Sequence, residues 1–110
     1  MKKPTVTVLI PCYNEAAVLP KLYRRLASLA QRQKTERITF LFINDGSRDH
    51  TLETIKKYAA TDRRVGYIDL SRNYGKEIAL TAGIDHANGD AVVLVDADLQ
   101  DPPELIPKMI

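Results

Sequence analysis

The sequence predicts an α/β fold in which a parallel sheet is covered by helices on both faces. Apolar, β-branched segments alternate four times with segments of polar and helical character along the 110 residues. The strand segments are mostly apolar without interruption, as is typical of parallel strands buried on both sides. We expect a single domain, because no internal repeat or low-complexity segment divides a chain of this length.

The first half of the chain predicts two strands, each followed by a helix. Residues 5–11 are apolar and β-branched, and residues 38–43 form a continuous apolar run, so both predict strands. Ser47 or Asp49 is expected to cap the second helix. The apolar positions of the two helices follow helical spacing, and they are Val18, Leu19, Leu22, Leu26, Leu29 and Ala30, then Leu52, Ile55 and Ala59.

The second half predicts two further strands around a third helix. Residues 65–70 alternate in polarity, and residues 91–95 are apolar, so both predict strands. The helix between them is rich in small residues suited to close packing on a sheet, and Asn88-Gly89 closes it. Since a helix joins each consecutive pair of strands, right-handed crossovers predict the parallel order 3-2-1-4.

Composition and charge exclude several classes of protein. Sixteen basic and fourteen acidic residues leave a net charge of +2, so charge gives no argument for a nucleic-acid partner. The single cysteine, Cys12, excludes an intrachain disulfide framework, and we expect it to be a small buried side chain. No apolar run approaches the roughly 20 residues that span a bilayer, so we expect these 110 residues to be soluble.

Polar residues follow each of the four predicted strands. The carboxyl ends of parallel strands meet at one edge of the sheet, where such sheets bind ligands. The four groups are Tyr13-Asn14-Glu15, Asn44-Asp45, Arg72-Asn73 with Lys76, and Asp96-Asp98-Gln100. Two groups are acidic and one is basic, so a binding site is favoured over four ordinary polar loops.

The group after the fourth strand predicts a metal site. In extended backbone Asp96 and Asp98 point to the same side, about 6.6 Å apart along the chain. Two carboxylates drawn to about 4 Å repel by roughly 4 kcal/mol, so either a cation compensates them or they splay into water. Mg²⁺ prefers carboxylate, carbonyl and phosphate oxygens, and Gln100 continues the series with a carbonyl oxygen. Such an ion would act as a Lewis acid on a diphosphate leaving group.

The other strand-end residues have both a ligand and a structural interpretation. Asp45 accepts hydrogen bonds from a base or ribose, or residues 44–47 are only a turn and helix cap. Glu15 contacts a ligand or stabilises the dipole of the first helix. Lys76 lies near a helix start, where a lysine is unfavourable without an anion, which favours a phosphate contact.

Taken together, the strand-end groups suit a nucleoside diphosphate that is bound through a divalent cation and leaves as the diphosphate. Three other classes of protein compete with an enzyme of this kind. A dinucleotide-binding oxidoreductase would carry G-x-G-x-x-G after the first strand, but PCYNE contains no glycine. A phosphotransfer or phosphatase domain would use Asp96 or Asp98 as a covalent nucleophile. A nucleotide-binding module without turnover also fits the fold.

Four motifs in order resemble the inverting family-2 glycosyltransferases. They are PCYNE at 11–15, NDGS at 44–47, RNYGKE at 72–77 and DADLQDPPE at 96–104. The resemblance is greatest to the polyprenyl-phosphate branch, which includes dolichol-phosphate mannose synthase and the bactoprenol glucosyltransferases. RNYGKE together with ALTAGIDHANGD is most similar to the bactoprenol glucosyltransferase group.

The resemblance implies a GT-A fold and a donor such as UDP-glucose, with GDP-mannose as the alternative. It implies inverting sugar transfer to a polyprenyl phosphate, with Mg²⁺ or Mn²⁺ as cofactor. That acceptor is already an anion, so positioning and leaving-group electrostatics replace a strong base. The residues it assigns are Pro11, Tyr13, Glu15, Asp45, Lys76, Asp96 and Ala97 to the nucleotide sugar, Asp96, Asp98 and Gln100 to the metal, and Asp98 to catalysis.

The resemblance also predicts that residues 1–110 are the N-terminal, nucleotide-sugar-binding part of a longer catalytic domain. Pro102-Pro103-Glu104 indicates a helix start, and the sequence stops at Ile110. Acceptor-binding elements and membrane helices follow this region in the family, at the cytoplasmic face of the inner membrane. We therefore expect these residues to bind donor without transferring sugar; a homo-oligomer is left open.

Overall fold

Within residues 4–86 and 90–95, which the computed structural model describes, four parallel strands and three helices alternate. Only the backbone is described for residues 76, 85 and 86. The spatial order is β3-β2-β1-β4, which confirms the predicted order. The elements are β1 (Thr5–Cys12), α1 (Leu19–Arg32), β2 (Arg37–Asp45), α2 (Thr51–Thr61), β3 (Val65–Leu70), α3 (Lys76–His86) and β4 (Ala91–Leu94).

The predicted cap of α2 is only partly correct. The N-cap residue is His50, which makes no side-chain capping bond. Asp49 Oδ1 nevertheless accepts the N–H of Thr51 (3.0 Å), so it satisfies a donor of the first turn. Ser47 does not cap the helix, because its hydroxyl accepts the N–H of Asn14 (3.0 Å). The predicted helix stop at Asn88-Gly89 and the helix start after residue 101 lie outside the described residues.

Both faces of the two central strands are buried, as the uninterrupted apolar runs predict. On one face Val8, Phe40 and Phe42 pack with the leucines of α1 and with Ile55 of α2. On the other face Leu9, Ile43 and Ala79 form a second core beneath α3. A Cβ added to Gly83 would lie 2.8 Å from Ile43 Cδ1, so the small residues of α3 do allow close packing. Cys12 is buried, as expected, and burial raises the pKa of its thiol well above the usual range.

Aromatic stacking and an ion pair join α1 to α2 and to the start of β3. The rings of Tyr23 and Tyr58 stack with their centroids 4.0 Å apart. The Tyr23 hydroxyl donates to Asp62 Oδ2 (2.5 Å). Arg64 donates from Nε to Asp62 Oδ1 (2.9 Å) and from Nη2 to Oδ2 (2.8 Å). These contacts hold the two helices side by side on one face of the sheet.

The Asp62 carboxylate is expected to make stability depend on pH. Hydrogen bonds from Arg64 hold its pKa far below the usual range, so its contribution to stability is complete above about pH 5 and is lost as the pH falls toward the lowered pKa. Asp62→Asn should lower the free energy of unfolding at neutral pH by about 2 kcal/mol. In urea titrations at falling pH, the difference in the free energy of unfolding between variant and wild type should become smaller.

Glu53→Gln is the matched control for Asp62→Asn. Glu53 pairs with His50 at 3.1 Å, but its side chain is 72% exposed. An exposed pair of this kind contributes about 0.5 kcal/mol or less. A gap for Asp62→Asn that stays constant from pH 7 to acid would contradict the assignment of the effect to this carboxylate.

Candidate functional site

A pocket of about 440 Å³ opens at the carboxyl ends of β2 and β3. Its lining comes from the last residues of β2 and β3, from the start of α2, and from the loops that follow β1, β2 and β3. The aromatic, amide and charged residues that line it are Tyr13, Asn44, Arg48, Asp69, Arg72 and Asn73. The structure therefore brings three of the four predicted polar groups together at one edge. The fourth group, Asp96-Asp98-Gln100, lies outside the described residues.

The Asp45 carboxylate joins two of these loops. Asp45 ends β2 and is 5% exposed. Its Oδ1 accepts the backbone N–H of Tyr74 (2.8 Å), and its Oδ2 accepts that of Gly75 (2.9 Å). The carboxylate thus fixes the loop between β3 and α3, a role that the sequence interpretation of Asp45 as nucleotide ligand or turn residue did not include.

Gly46 brings the same two loops into backbone contact. Its φ of +69° lies in the left-handed region. A Cβ on Gly46 would lie 2.2 Å from both Arg72 C and Asn73 N. Beside this contact, Asn44 Nδ2 donates to Asp69 Oδ1 (2.9 Å). The loops after β2 and β3 therefore form one continuous wall of the pocket.

Side-chain hydrogen bonds also attach the loop after β1. Asn14 has a φ of +53°, and its Oδ1 accepts the N–H of Arg48 (2.8 Å). The Glu15 N–H donates to Thr51 Oγ1 (2.8 Å). These bonds supplement that from Asn14 N–H to Ser47. All three loops are thereby held in fixed relative positions, with the Tyr13 side chain 41% exposed at the pocket.

The other residues predicted for the site do not line this pocket or lie outside the described residues. Pro11 is half-buried in β1, and Glu15 is half-buried beside α2. Lys76 begins α3, but its side chain is not described. Asp96, Ala97, Asp98 and Gln100 lie outside the described residues. Among the residues the structure does describe, no three or more His, Cys, Asp or Glu side chains group as metal ligands.

The sequence did not predict two residues of the site, and it predicted a third without its aromatic contact. Arg48 and Asp69 both line the pocket but were not predicted as site residues. The alternation of β3 offered a signal, because Asp69 shares a face with exposed Tyr67. The guanidinium of Arg72, predicted only as part of a polar exit, lies 5.1 Å from the ring centroid of Tyr74.

The described helices give no evidence of a membrane span, since none in that part of the chain is both long and apolar enough to cross a bilayer.

The β4 strand lies at one end of the sheet, beside β1. Leu94 is paired with Leu9, and the buried Val95 donates its N–H to Leu9 O (2.9 Å). The chain therefore reaches residue 95 alongside β1, immediately before the predicted metal ligands.

Comparison with protein families gives one match over almost the whole chain. The family described as Glycosyl transferase family 2 matches residues 7–110. The uncharacterized glycosyltransferase YkcC of Bacillus subtilis is 48% identical over 104 residues, which are 94% of this chain and 32% of that protein. The bactoprenol glucosyl transferase of Shigella phage SfV is 43% identical over 105 residues, 96% of this chain and 34% of that protein.

Solved structures share the fold. A mannosyltransferase from Pyrobaculum calidifontis, PcManGT in complex with GDP-Man and Mn²⁺, gives a TM-score of 0.74 at 27% identity, covering 89% of this chain and 28% of that one. S. aureus TarS 1-349 in complex with UDP gives 0.72 at 27% identity, covering 86% and 27%. The chain spans about a third of the length of the curated relatives it matches.

Proposed function

Because the chain belongs to glycosyl transferase family 2 and has the GT-A fold, we propose that it forms the donor-binding part of a glycosyltransferase that acts on a polyprenyl phosphate. The observation that carries the proposal is the pocket at the ends of β2 and β3, whose walls are fixed to one another by Asp45. The similarity to bactoprenol glucosyl transferases supports the acceptor class and favours glucose as the sugar.

The chemistry of the pocket suits a nucleoside diphosphate. A volume of about 440 Å³ is in the range of small-molecule sites. The exposed ring of Tyr13 can stack on a base, and the carboxylate of Asp69 can accept a hydrogen bond from a hydroxyl. Arg48 and Arg72 supply cations for phosphate oxygens. Pro11, Glu15 and Lys76 complete the proposed set, with Lys76 directed to the diphosphate.

The proposed metal ligands follow directly from the end of β4. Asp96, Asp98 and Gln100 offer the hard oxygen donors that Mg²⁺ and Mn²⁺ prefer, and Ala97 adjoins the nucleotide between them. When bound, the ion would neutralise charge on the diphosphate leaving group. The hydrogen bond from Val95 N–H to Leu9 O keeps the chain alongside β1 up to residue 95, and the Mn²⁺ in the PcManGT complex supports the choice of ion.

In the proposed reaction a phosphate oxygen of the acceptor attacks the anomeric carbon from the side opposite the diphosphate. The bond from that carbon to the nucleoside diphosphate breaks, so the configuration inverts. The acceptor oxygen is already anionic and needs no proton removed. The contribution of this chain is to orient the donor and, through Asp98, to stabilise the leaving group. Because the proposed acceptor is a membrane lipid, we propose that the whole protein acts at the membrane, on its cytoplasmic face.

The donor has one specific alternative. PcManGT holds GDP-Man and aligns as well as the UDP complex of TarS, so a GDP-mannose-dependent enzyme with the same acceptor class also fits. Since the chain spans a third of its relatives, we propose that these 110 residues alone bind donor without transferring sugar. A nucleotide-binding module without turnover in the whole protein is the remaining alternative.

A thermal-shift titration tests donor and metal binding together. UDP with Mn²⁺ at about one hundred times its dissociation constant should stabilise the fold by roughly 2.7 kcal/mol, which raises the unfolding midpoint by several degrees. Asp98→Asn should weaken Mn²⁺-dependent UDP binding at least tenfold, or about 1.4 kcal/mol. Asp101→Asn, which removes a neighbouring carboxylate outside the proposed set, is the control.

Parallel measurements separate the alternatives. A larger shift with GDP than with UDP would assign the guanine donor. Labelled UDP-glucose and a polyprenyl phosphate should yield no transfer above the buffer rate from these residues alone. No shift with either nucleotide in a folded sample would refute donor binding, and equal affinities of Asp98→Asn and wild type would place the ion elsewhere.

A further inference from the structure

The outer surface of α1 and α2 carries an excess of positive charge that the donor site does not use. The helix α1 contains four basic residues and no acidic one, and α2 contains two basic residues and one acidic residue. The two helices thus carry a net charge of +5, while the whole chain carries +2. The rest of the chain is therefore net acidic, and the positive charge is concentrated in one layer.

The cations of α1 lie opposite its buried face. Four leucines of this helix pack on the sheet, and a shallow groove of about 290 Å³ runs along the other side. The groove is lined by Lys21, Arg24, Arg25, Ser28 and Arg32. With a rise of 1.5 Å per residue, Lys21 and Arg32 are about 16 Å apart along the axis. The charge is spread over a surface and not gathered around one anion.

Most cations of this surface form no ion pair with an acidic side chain in the part of the chain that the structure describes. No ion pair within the described residues involves Lys21, Arg24 or Arg32. Lys56 and Lys57 of α2 are exposed as well. The rings of Tyr23 and Tyr58 stack and pack α1 against α2, so the cations of both helices lie on one layer of the fold. We call these five exposed cations, Lys21, Arg24, Arg32, Lys56 and Lys57, the basic layer.

We propose that the basic layer binds the anionic lipid surface of the membrane that holds the acceptor, a step that rests on the proposed function. A broad array of cations fits many headgroups in a plane better than a single phosphate. Each Lys or Arg near an anionic lipid surface strengthens binding about fivefold. The large apolar side chains exposed in the described residues all lie outside α1 and α2, so the attachment is electrostatic and reversible.

Sedimentation with lipid vesicles tests this proposal on the 110-residue chain. Vesicles that contain phosphatidylglycerol should bind the protein, and vesicles of phosphatidylcholine alone should not. Raising the salt from about 0.05 M to 0.5 M should release it, because the Debye length shortens from about 14 Å to about 4 Å. The triple variant Lys21→Gln, Arg24→Gln, Arg32→Gln should bind phosphatidylglycerol vesicles at least tenfold more weakly.

A second triple variant is the control, because it also removes three positive charges but from outside α1 and α2. Lys34, Arg37 and Arg63 are exposed outside α1 and α2, at the edge of the sheet where β2 and β3 begin, and their replacement by glutamine should change binding about twofold or less. Both variants should keep the thermal shift with UDP and Mn²⁺, which reports the donor site separately. If the shift is absent while vesicle binding persists, the donor proposal fails and the lipid-binding surface stands.

Several outcomes would overturn the proposal. Equal losses in the two triple variants would show that only total charge matters. Binding to phosphatidylcholine alone, or binding indifferent to salt, would show that the contact is not electrostatic. If no vesicles bind and poly-glutamate captures wild type but not the α1 variant, the basic layer binds an acidic protein. If no vesicles bind and only the α1 variant alters the sedimentation coefficient, the layer joins copies of this chain.

Discussion

Gly46→Ala is expected to destabilise the fold by about 4 kcal/mol or more, the range reached when a substitution strains a special backbone conformation and overpacks a closed contact. The φ of +69° alone disfavours any residue with a Cβ. The added carbon would also lie 2.2 Å from Arg72 C and Asn73 N. Both are backbone atoms, so no side chain can rotate away, and the loops after β2 and β3 must separate.

Two other glycines separate the strain from the clash. Gly75 has a φ of +96° with nothing within 4 Å of an added Cβ, so Gly75→Ala should cost only the strain, about 1–2 kcal/mol. Gly66 lies in β3, where the nearest atom, Leu41 Cδ1, is at an ordinary 3.7 Å, so Gly66→Ala should change stability by about 1 kcal/mol or less. Urea unfolding of the three variants measures the free energy of unfolding that each substitution removes. If Gly46→Ala costs no more than Gly75→Ala, the two loops are not a rigid wall.

The sheet could be predicted because its determinants are local. Continuous apolar runs such as residues 38–43 identify strands buried on both faces, and the helices between them leave few topologies once crossovers are right-handed. The convergence of Tyr13, Asn44 and Arg72 on one pocket follows from the same argument, since parallel strands end at a common edge. The small residues of α3 predicted close packing on the sheet, and the contact of Gly83 with Ile43 agrees with that prediction.

The bonds between loops could not be predicted, because they join residues far apart in sequence. Asp45 and Tyr74 are 29 positions apart, and Asn14 and Arg48 are 34 apart, so no periodicity or spacing links them. The cap of α2 was misassigned for a related reason, since Ser47 gives its hydroxyl to the loop after β1 and not to its own helix. The metal ligands Asp96, Asp98 and Gln100 remain a prediction from sequence.

Asp45→Ala is expected to lower the free energy of unfolding by about 3–5 kcal/mol. A hydrogen bond to a charged group contributes about 1.5–3 kcal/mol, and Asp45 accepts two, from the N–H groups of Tyr74 and Gly75. Asp45→Asn preserves the volume but turns one acceptor into a donor that faces a backbone N–H, so we expect a loss of about 2–3 kcal/mol. In Asp69→Asn the new amide oxygen can still accept from Asn44, so this control should lose about 1 kcal/mol or less.

The same variants distinguish a carboxylate that holds the loop from one that only contacts the nucleotide. If Asp45 acts through the loop, Asp45→Asn should speed hydrogen exchange at the amide of Tyr74, whose N–H loses its acceptor or its fixed position. The effect at Gly75 should be smaller, because its N–H also donates to Asn73 Oδ1 (2.9 Å). UDP affinity should fall with it, since the freed loop carries Arg72 and one wall of the pocket. Unchanged exchange at both amides, with UDP binding lost, would show that the carboxylate acts on the ligand directly. Because nearly all of Asp45 is buried beneath this loop, we expect exchange and affinity to change together.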